Sequence, residues 1–224
     1  MKKLLIEKNK RIMEYKKLPT FILFSNFADS TFKEEKILAV PYTNFNLNNK
    51  LSNDLYELLN EPSLLNSSNR DEYTREEIKH YHQNSIKGTQ WFQFNRTYCV
   101  EKCTLSWVIV SNTLYKSKII SSKLIGYAGV KEDDTFYIDT PLSSLYLGII
   151  EDYQNKGIGT KFNEKFINWW TRIFSTAKLQ WVSRFDNLGS QNLAIKSGFK
   201  YERRVHLECD YYIYAKQPKC LVLL

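Results

Sequence analysis

The stretch from residue 147 to residue 160 combines a β-prone run, a turn and the start of a helical pattern. Gly157 and Gly159 lie where the turn meets the helix, and without a Cβ they let backbone N–H groups approach a ligand closely. Successive N–H groups and the positive end of a helix together attract an anion. Lys156 adds a side-chain cation, so we expect this turn to bind phosphate.

Two common phosphate-binding motifs do not fit this turn. The dinucleotide-binding motif requires a third glycine or alanine, and Phe162 occupies that position. The P-loop requires Gly-Lys followed by Ser or Thr, whereas the order here is Gly159-Thr160-Lys161. A Gly-x-Gly helix start is by itself a weak signal, because helices often begin with glycine, so this turn alone does not identify a ligand.

A second segment, residues 186–199, follows the next β-prone run at 179–184. Ser190 is a favourable N-cap and Gly198 a favourable residue after a helix end, which predicts a short helix between them. Together the two segments resemble the GCN5-related N-acetyltransferase (GNAT) superfamily. Its pyrophosphate motif is matched by Gln154-x-x-Gly157-x-Gly159, and its second cofactor motif by Asn187-x-x-Ser190 and Lys196-Ser197-Gly198-Phe199.

Ser190, together with alanine instead of tyrosine at position 194, makes the sequence similar to the Rim-type branch of that superfamily. This branch includes ribosomal-protein N-terminal acetyltransferases, spermidine acetyltransferases and some antibiotic acetyltransferases. The resemblance is strong over residues 140–215, weaker over 36–139 and absent over 1–35. We therefore expect an N-terminal extension (1–35) packed on a GNAT acetyltransferase domain (36–224).

The resemblance implies an α+β GNAT fold, with a mixed, mostly antiparallel sheet, splayed middle strands and helices on both faces. The splayed strands would be residues 144–150 and 179–184. Alternation and apolar spacing predict further strands at 37–40, 104–110, 123–130, 135–139, 199–207 and 211–215. They predict helices at 52–60, 74–85, 157–174 and 190–197, and the aromatic stripe of the third helix is interpreted as core.

The resemblance also implies that acetyl-CoA is the acetyl donor. The backbone of Leu147 and Ile149 would pair with the pantetheine amides, and a backbone N–H near Ile149 would bind the thioester oxygen. Asn187 and Asn192 would contact the pantetheine arm or the adenosine side. The pyrophosphate would be held by the backbone of Gln154, Asn155, Lys156, Gly157, Ile158, Gly159 and Thr160.

Two residues are candidates for catalysis. In relatives of the Rim type, a serine at the position of Ser190 donates to the departing sulfur, and a base lies near the position of Glu208. Asp139 and Asp210 are lesser candidates for the base. The acceptor amine must be neutral to attack, and the predicted strand 179–184 carries no carboxylate. An α-amine, with a pKa near 8, suits such a site better than a lysine side chain.

The acceptor stays open between a protein N-terminus, a small-molecule amine such as an antibiotic, and the amino group of an aminoacyl-tRNA. A net charge of +8 favours an acceptor associated with ribosomes or tRNA over a polycation such as spermidine. Two other readings remain: a catalytically silent GNAT-like module that binds acyl-CoA, and a nucleic-acid-binding protein, which rests on charge alone. The family often forms homodimers, so a dimer is an allowed state.

The composition of the chain excludes several classes of protein. Of 224 residues, 43% are hydrophobic and 25% charged, which excludes a disordered or fibrous chain. No apolar stretch reaches the roughly 18 residues of a membrane helix, and the N-terminus lacks a signal-peptide pattern. We expect a cytoplasmic protein. The four cysteines form no Cys-x-x-Cys pair and His80-x-His82 is interpreted as a solvated helix face, so no metal site is expected.

Overall fold

The computed structural model describes residues 18–28, 33–44, 49–68, 71–80, 83, 104–132, 143–173, 179–207 and 209–216. Its strands are β1 (Phe21–Ala28), β2 (Lys33–Pro41), β3 (Thr104–Tyr115), β4 (Lys118–Glu132), β5 (Ser143–Ile149), β6 (Leu179–Arg184), β7 (Lys200–His206) and β8 (Asp210–Lys216). The helices are α1 (Asn49–Leu59), α2 (Pro62–Ser68), α3 (75–80), α4 (Ile158–Ile173) and α5 (Leu188–Lys196). The strand predicted at 135–139 lies outside the described residues.

One sheet contains all eight described strands, in the order β1-β2-β3-β4-β5-β6-β8-β7. Neighbouring strands are antiparallel except β5 and β6, which are parallel. This is the mixed, mostly antiparallel sheet predicted from the sequence, and the α+β fold class is confirmed.

The two parallel middle strands separate soon after they meet. β5 and β6 pair only from Ser143 with Leu179 to Leu145 with Trp181. Beyond that point β5 stays paired with β4 as far as Ile149, and β6 stays paired with β8 as far as Arg184. Because each strand follows its outer neighbour, an opening forms between their carboxyl ends.

Aromatic side chains of α4 form the core on one face of the sheet. Trp107 on β3 is fully buried, and its ring centroid lies 6.4 Å from that of Phe162, 5.6 Å from that of Phe166 and 5.7 Å from that of Trp169. The aromatic stripe is therefore core, as predicted. The next residue, Val108, points to the opposite face and is also buried, and α1 packs on β4, so both faces are covered.

The sheet continues through residue 36, where the sequence suggested a domain boundary. β1 pairs with β2 over its length, and Phe21 stacks on Trp107 with ring centroids 5.9 Å apart. The strand predicted at 37–40 begins earlier, at Lys33, because its polar residues find partners within the sheet: Ser111 donates to Glu35 at 2.6 Å. The described part of the expected extension is thus an edge of the main sheet, whereas residues 1–17 lie outside the described residues.

Candidate functional site

The opening between β5 and β6 exposes backbone hydrogen-bonding groups of β5. Ile150 N–H donates to Ile125 O at 3.0 Å, so the N–H of this residue points toward β4. Because N–H and C=O groups alternate in direction along a strand, those of Leu147 and Ile149 point the other way, toward β6. β6 has already separated there, so these groups face the opening.

A tight turn links β5 to α4. Gln154 Nε2 donates to Ile149 O at 2.9 Å, so the side chain of this motif residue fixes the end of β5. Asn155 and Gly157 have φ angles of 57° and 77° in the left-handed region. The first bond of the helix runs from Lys161 N–H to Gly157 O at 3.0 Å. The preceding N–H groups, which include those of Ile158, Gly159 and Thr160, have no acceptor within the helix.

The two glycines of the motif are needed for different reasons. A Cβ on Gly157 would meet only Phe24 Cζ, at 3.7 Å, so this position requires glycine for its φ angle. A Cβ on Gly159 would lie 2.8 Å from Leu147 Cδ2 and 3.0 Å from Leu193 Cδ2. Gly159 therefore allows α4 to pack closely against β5 and α5, a role that the phosphate motif alone did not indicate.

Two lysines lie beside the turn. The ammonium of Lys156 is 5.0 Å from the centre of the Tyr153 ring and that of Lys123 is 5.8 Å from it. Lys123 also lies 4.0 Å from Asp152. Sequence reasoning identified Lys156 but missed Lys123, because Lys123 lies on β4 and only the β4–β5 pairing brings it near the turn. Phe24 on β1 was also missed, because only the packing of β1 against α4 brings it near Gly157.

The start of α5 differs from the prediction. Helix α5 begins at Leu188, and Asn187 is its N-cap, with Oδ1 accepting the Ser190 N–H at 3.0 Å. The prediction that Ser190 caps the helix is therefore wrong, since asparagine caps at least as well and stands three residues earlier. The Ser190 hydroxyl instead accepts a hydrogen bond from the Trp181 indole at 2.8 Å.

Gln191, which sequence reasoning missed, fastens the beginning of α5 to the end of β6. Its Nε2 donates to Arg184 O at 3.0 Å and to Phe185 O at 2.8 Å. Asn192, a predicted cofactor contact, is exposed on the same helix. The α5 start is thus held rigidly beside the opening, while Asn192 stays accessible to a ligand.

Of the three candidate bases, only Asp210 lies within the described residues. Glu208 and Asp139 lie outside the described residues. Asp210 begins β8, forms an ion pair with Arg204, and lies 3.0 Å from His206 Nδ1. Hydrogen bonds from Arg204 and then His206 hold the pKa of the Asp210 carboxyl below its ordinary value. A carboxylate stabilised in this way is a poor proton acceptor.

Neither a membrane nor a metal feature is found in the described part of the chain. None of its described helices has the length and apolar character needed to cross a membrane. Its described His, Cys, Asp and Glu side chains form no group of three that would ligate a metal ion. His82 of the histidine pair lies outside the described residues.

Several solved structures share this fold. An acetyltransferase from Salmonella typhimurium that modifies the N-terminal serine of ribosomal protein L7/L12 has a TM-score of 0.56 at 14% identity, covering 89% of this chain and 99% of its own. The ribosomal-protein-S5-alanine acetyltransferase from Vibrio fischeri has a TM-score of 0.54 at 13% identity, covering 88% and 98%. The microcin C7 self-immunity acetyltransferase MccE, solved with acetyl-CoA and AMP, has a TM-score of 0.53 at 17% identity, covering 82% and 92%.

Curated protein sequences give no match to this chain. The acetyltransferase (GNAT) domain family, however, matches residues 48–200, which is well over half of the sequence. The matched range contains β5, the glycine turn, α4, β6 and α5, the elements that form the opening. The chain therefore belongs to the GNAT family, and it is an acetyl-CoA-dependent N-acetyltransferase.

Proposed function

We propose that the enzyme binds acetyl-CoA in the opening between β5 and β6 and acetylates the α-amine of a protein N-terminus. One observation supports this position of the cofactor. The backbone groups of Leu147 and the N–H of Ile149, which β6 does not pair, come shortly before the left-handed turn at Gly157. An extended ligand with amide groups pairs with such an edge as an added strand. The phosphates that follow it then meet the N–H groups at the start of α4.

Each residue around the opening has a proposed role. The N–H of Ile149 donates to the thioester oxygen, where negative charge develops, and one such donor contributes roughly 3–4 kcal/mol. The Gln154 N–H already donates to Glu151 O at 2.9 Å, so the N–H groups of residues 155–160 bind the pyrophosphate, and Lys156 adds positive charge beside them. Asn192 contacts the coenzyme directly. Asn187, whose Oδ1 caps α5, lies beside the pantetheine arm or the adenosine side of the coenzyme in this proposal.

The chemistry of the site supports an α-amine as acceptor. About a tenth of an α-amine is neutral at pH 7, against well under 0.1% of a lysine side chain. An α-amine therefore needs less help from a base. Asp210 is a poor base in its ion pair, and β6 carries no carboxylate. Glu208 is kept as the proposed base, and it assists an amine that is already partly deprotonated.

Charge and relatives support the same acceptor class. The net charge of +8 disfavours polycationic acceptors such as spermidine. Two proteins of this fold are ribosomal-protein acetyltransferases, one of which modifies an N-terminal serine. Nascent and ribosomal N-termini of this kind occur in the cytoplasm, so the proposal also places the enzyme there.

An acceptor panel tests the proposal. Peptides that differ only in their first residue, each with one internal lysine, are offered with acetyl-CoA, and thiol release and peptide mass are measured. We expect acetylation of the α-amine of some peptides and none of the lysine. Peptides with a blocked α-amine are the matched control.

The same panel contains the outcomes that contradict the proposal. Turnover of an aminoglycoside, spermidine or an aminoacyl-tRNA without turnover of any peptide would replace the α-amine by that acceptor. Tight binding of acetyl-CoA without turnover of any amine would indicate a silent module. If the protein did not bind acetyl-CoA, both the proposed cofactor position and the proposed activity would be contradicted.

A further inference from the structure

Trp181 lies at the point where β5 and β6 separate. It is the last β6 residue paired with β5, opposite Leu145, and on its other side it pairs with Tyr214 of β8. The side chain is 3% exposed, and its ring meets that of Phe199 edge-on with centroids 6.0 Å apart. The indole is thus held firmly at the narrow end of the opening.

The indole N–H donates to Ser190 Oγ at 2.8 Å. An indole N–H is only a donor, so the serine oxygen must accept, and the hydroxyl proton is directed elsewhere. Among the described residues no acceptor lies within hydrogen-bond distance of that proton. The backbone of Ser190 is also fixed, because its N–H donates to Asn187 Oδ1 at 3.0 Å. Ser190 is therefore a donor of fixed position.

We propose that Trp181 is a positioning residue, which holds the Ser190 hydroxyl as a hydrogen-bond donor to the coenzyme A sulfur. This inference rests on the proposed binding of acetyl-CoA in the opening. During transfer the C–N bond forms as the C–S bond breaks, the sulfur keeps the bonding electron pair, and the amine proton passes to a base or to water. Ser190 stabilises the thiolate by a hydrogen bond, and Trp181 directs the hydroxyl proton of Ser190 toward the sulfur.

The alternative is that Ser190 merely satisfies a buried indole N–H. The two cases differ in their effect on the sulfur. A hydrogen bond to a thiolate lowers the pKa of its thiol, whereas a purely structural contact leaves that pKa unchanged. This difference can be measured with coenzyme A alone, without an acceptor.

The test is a pH titration of the complex with coenzyme A, followed by thiolate absorbance, with the desulfo-coenzyme A complex as blank. We expect the wild-type protein to lower the thiol pKa by about one unit. Trp181→Phe and Ser190→Ala should each restore most of the free value. The double variant should add nothing further, because both changes remove the same hydrogen bond.

Kinetics with the acceptor found above provide a second readout. Trp181→Phe should lower kcat about tenfold while KM for acetyl-CoA changes less than twofold, since the lost interaction forms in the transition state. If Trp181→Phe fails to fold, 3-benzothienylalanine at position 181 keeps the bicyclic shape and removes only the N–H. Its complex should show the same loss of the thiol pKa shift.

Three results would overturn the inference: a wild-type thiol pKa equal to that of free coenzyme A, an unchanged shift in Trp181→Phe, or an effect of Trp181→Phe that persists in full in the Ser190→Ala background. These results differ from failure of the proposed function. If coenzyme A does not bind at all, the cofactor position fails. If it binds and the pKa shift behaves as expected but no peptide is acetylated, only the acceptor assignment fails.

Discussion

At the scale of single residues, the proposed phosphate site depends on one backbone angle, that of Gly157. Its φ of 77° lies in the left-handed region, and a Cβ there would meet only Phe24 Cζ at 3.7 Å. A larger side chain at this position would therefore meet little steric obstruction. If the pyrophosphate binds at this turn, a substitution of Gly157 acts through the backbone conformation and through any charge that it places beside the phosphates.

Gly157→Asp should weaken acetyl-CoA binding about 100-fold or more, because juxtaposed like charges cost several kcal/mol. Calorimetric titration with acetyl-CoA measures the effect. Gly157→Asn is the matched control, since asparagine has the same shape, carries no charge and tolerates the left-handed region. We expect that variant to bind within about tenfold of wild type, as its cost is the residual strain of a non-glycine residue in this region.

Equal losses in the two variants would contradict the assignment, because strain alone would then explain both. Wild-type affinity in Gly157→Asp would contradict it more directly. In that case the pyrophosphate does not lie against this turn. Melting temperatures of both variants show whether either change has disturbed the fold.

At the scale of elements, the start of α5 shows where local sequence signals compete. Both Asn187 and Ser190 are good N-cap residues, and the sequence offers no local reason to prefer one. The structure selects Asn187 because Gln191 binds the carbonyls of Arg184 and Phe185, which requires the helix to begin close to the end of β6. A contact between elements thus decides the boundary, and the sequence pattern could not reveal it.

Asn187→Ala should lower stability by about 1 kcal/mol, because the Ser190 N–H loses its acceptor. Thermal or denaturant unfolding measures this change. Asn187→Asp keeps an acceptor oxygen at the cap and should unfold like wild type.

Asn192→Ala, on the exposed side of the same helix, should leave stability unchanged and raise KM for acetyl-CoA. A loss of stability in Asn192→Ala equal to that in Asn187→Ala would contradict the capping role.

The β3–β4 hairpin was predicted only in part. Its apolar parts, residues 104–110 and 123–130, read clearly as strands, but Ser111, Asn112 and Thr113 resemble turn residues in the sequence. They continue β3 because β2 and β4 pair with them on both sides. The chain reverses at Lys116 and Ser117, which both have positive φ angles although neither is glycine. Pairing across the sheet overrides local preference here.

The site itself was predictable to the extent that it is local. Residues 154–160 and 187–192 are contiguous segments whose residue types bear directly on phosphate binding and capping. Lys123, Phe24 and Trp181 lie on other strands, and only the tertiary fold brings them near the turn or the opening. Their types, a lysine and two aromatic residues, carry no signal of such a role in isolation.

At the scale of the whole molecule, β1 connects the N-terminal part of the chain to the core and to the site. Phe21 is 8% exposed and lies against the rings of Trp107, Phe162 and Trp169. Three residues later, Phe24 approaches Gly157. The edge strand thus contributes to the same aromatic core that positions α4, and α4 in turn positions the glycine turn that we propose to bind phosphate.

If β1 is an integral part of the domain, Phe21→Ala should destabilise the protein by about 3–5 kcal/mol, the usual cost of removing a buried phenylalanine. That is a large share of a typical folding free energy of about 5–15 kcal/mol. Urea unfolding followed by tryptophan fluorescence measures it. Ile22→Ala is the matched control on the same strand, because Ile22 is 57% exposed and should change stability by less than about 0.5 kcal/mol. A loss below about 1 kcal/mol in Phe21→Ala would show that β1 adds little to the core, and that the domain begins after it, near residue 36, as the sequence suggested.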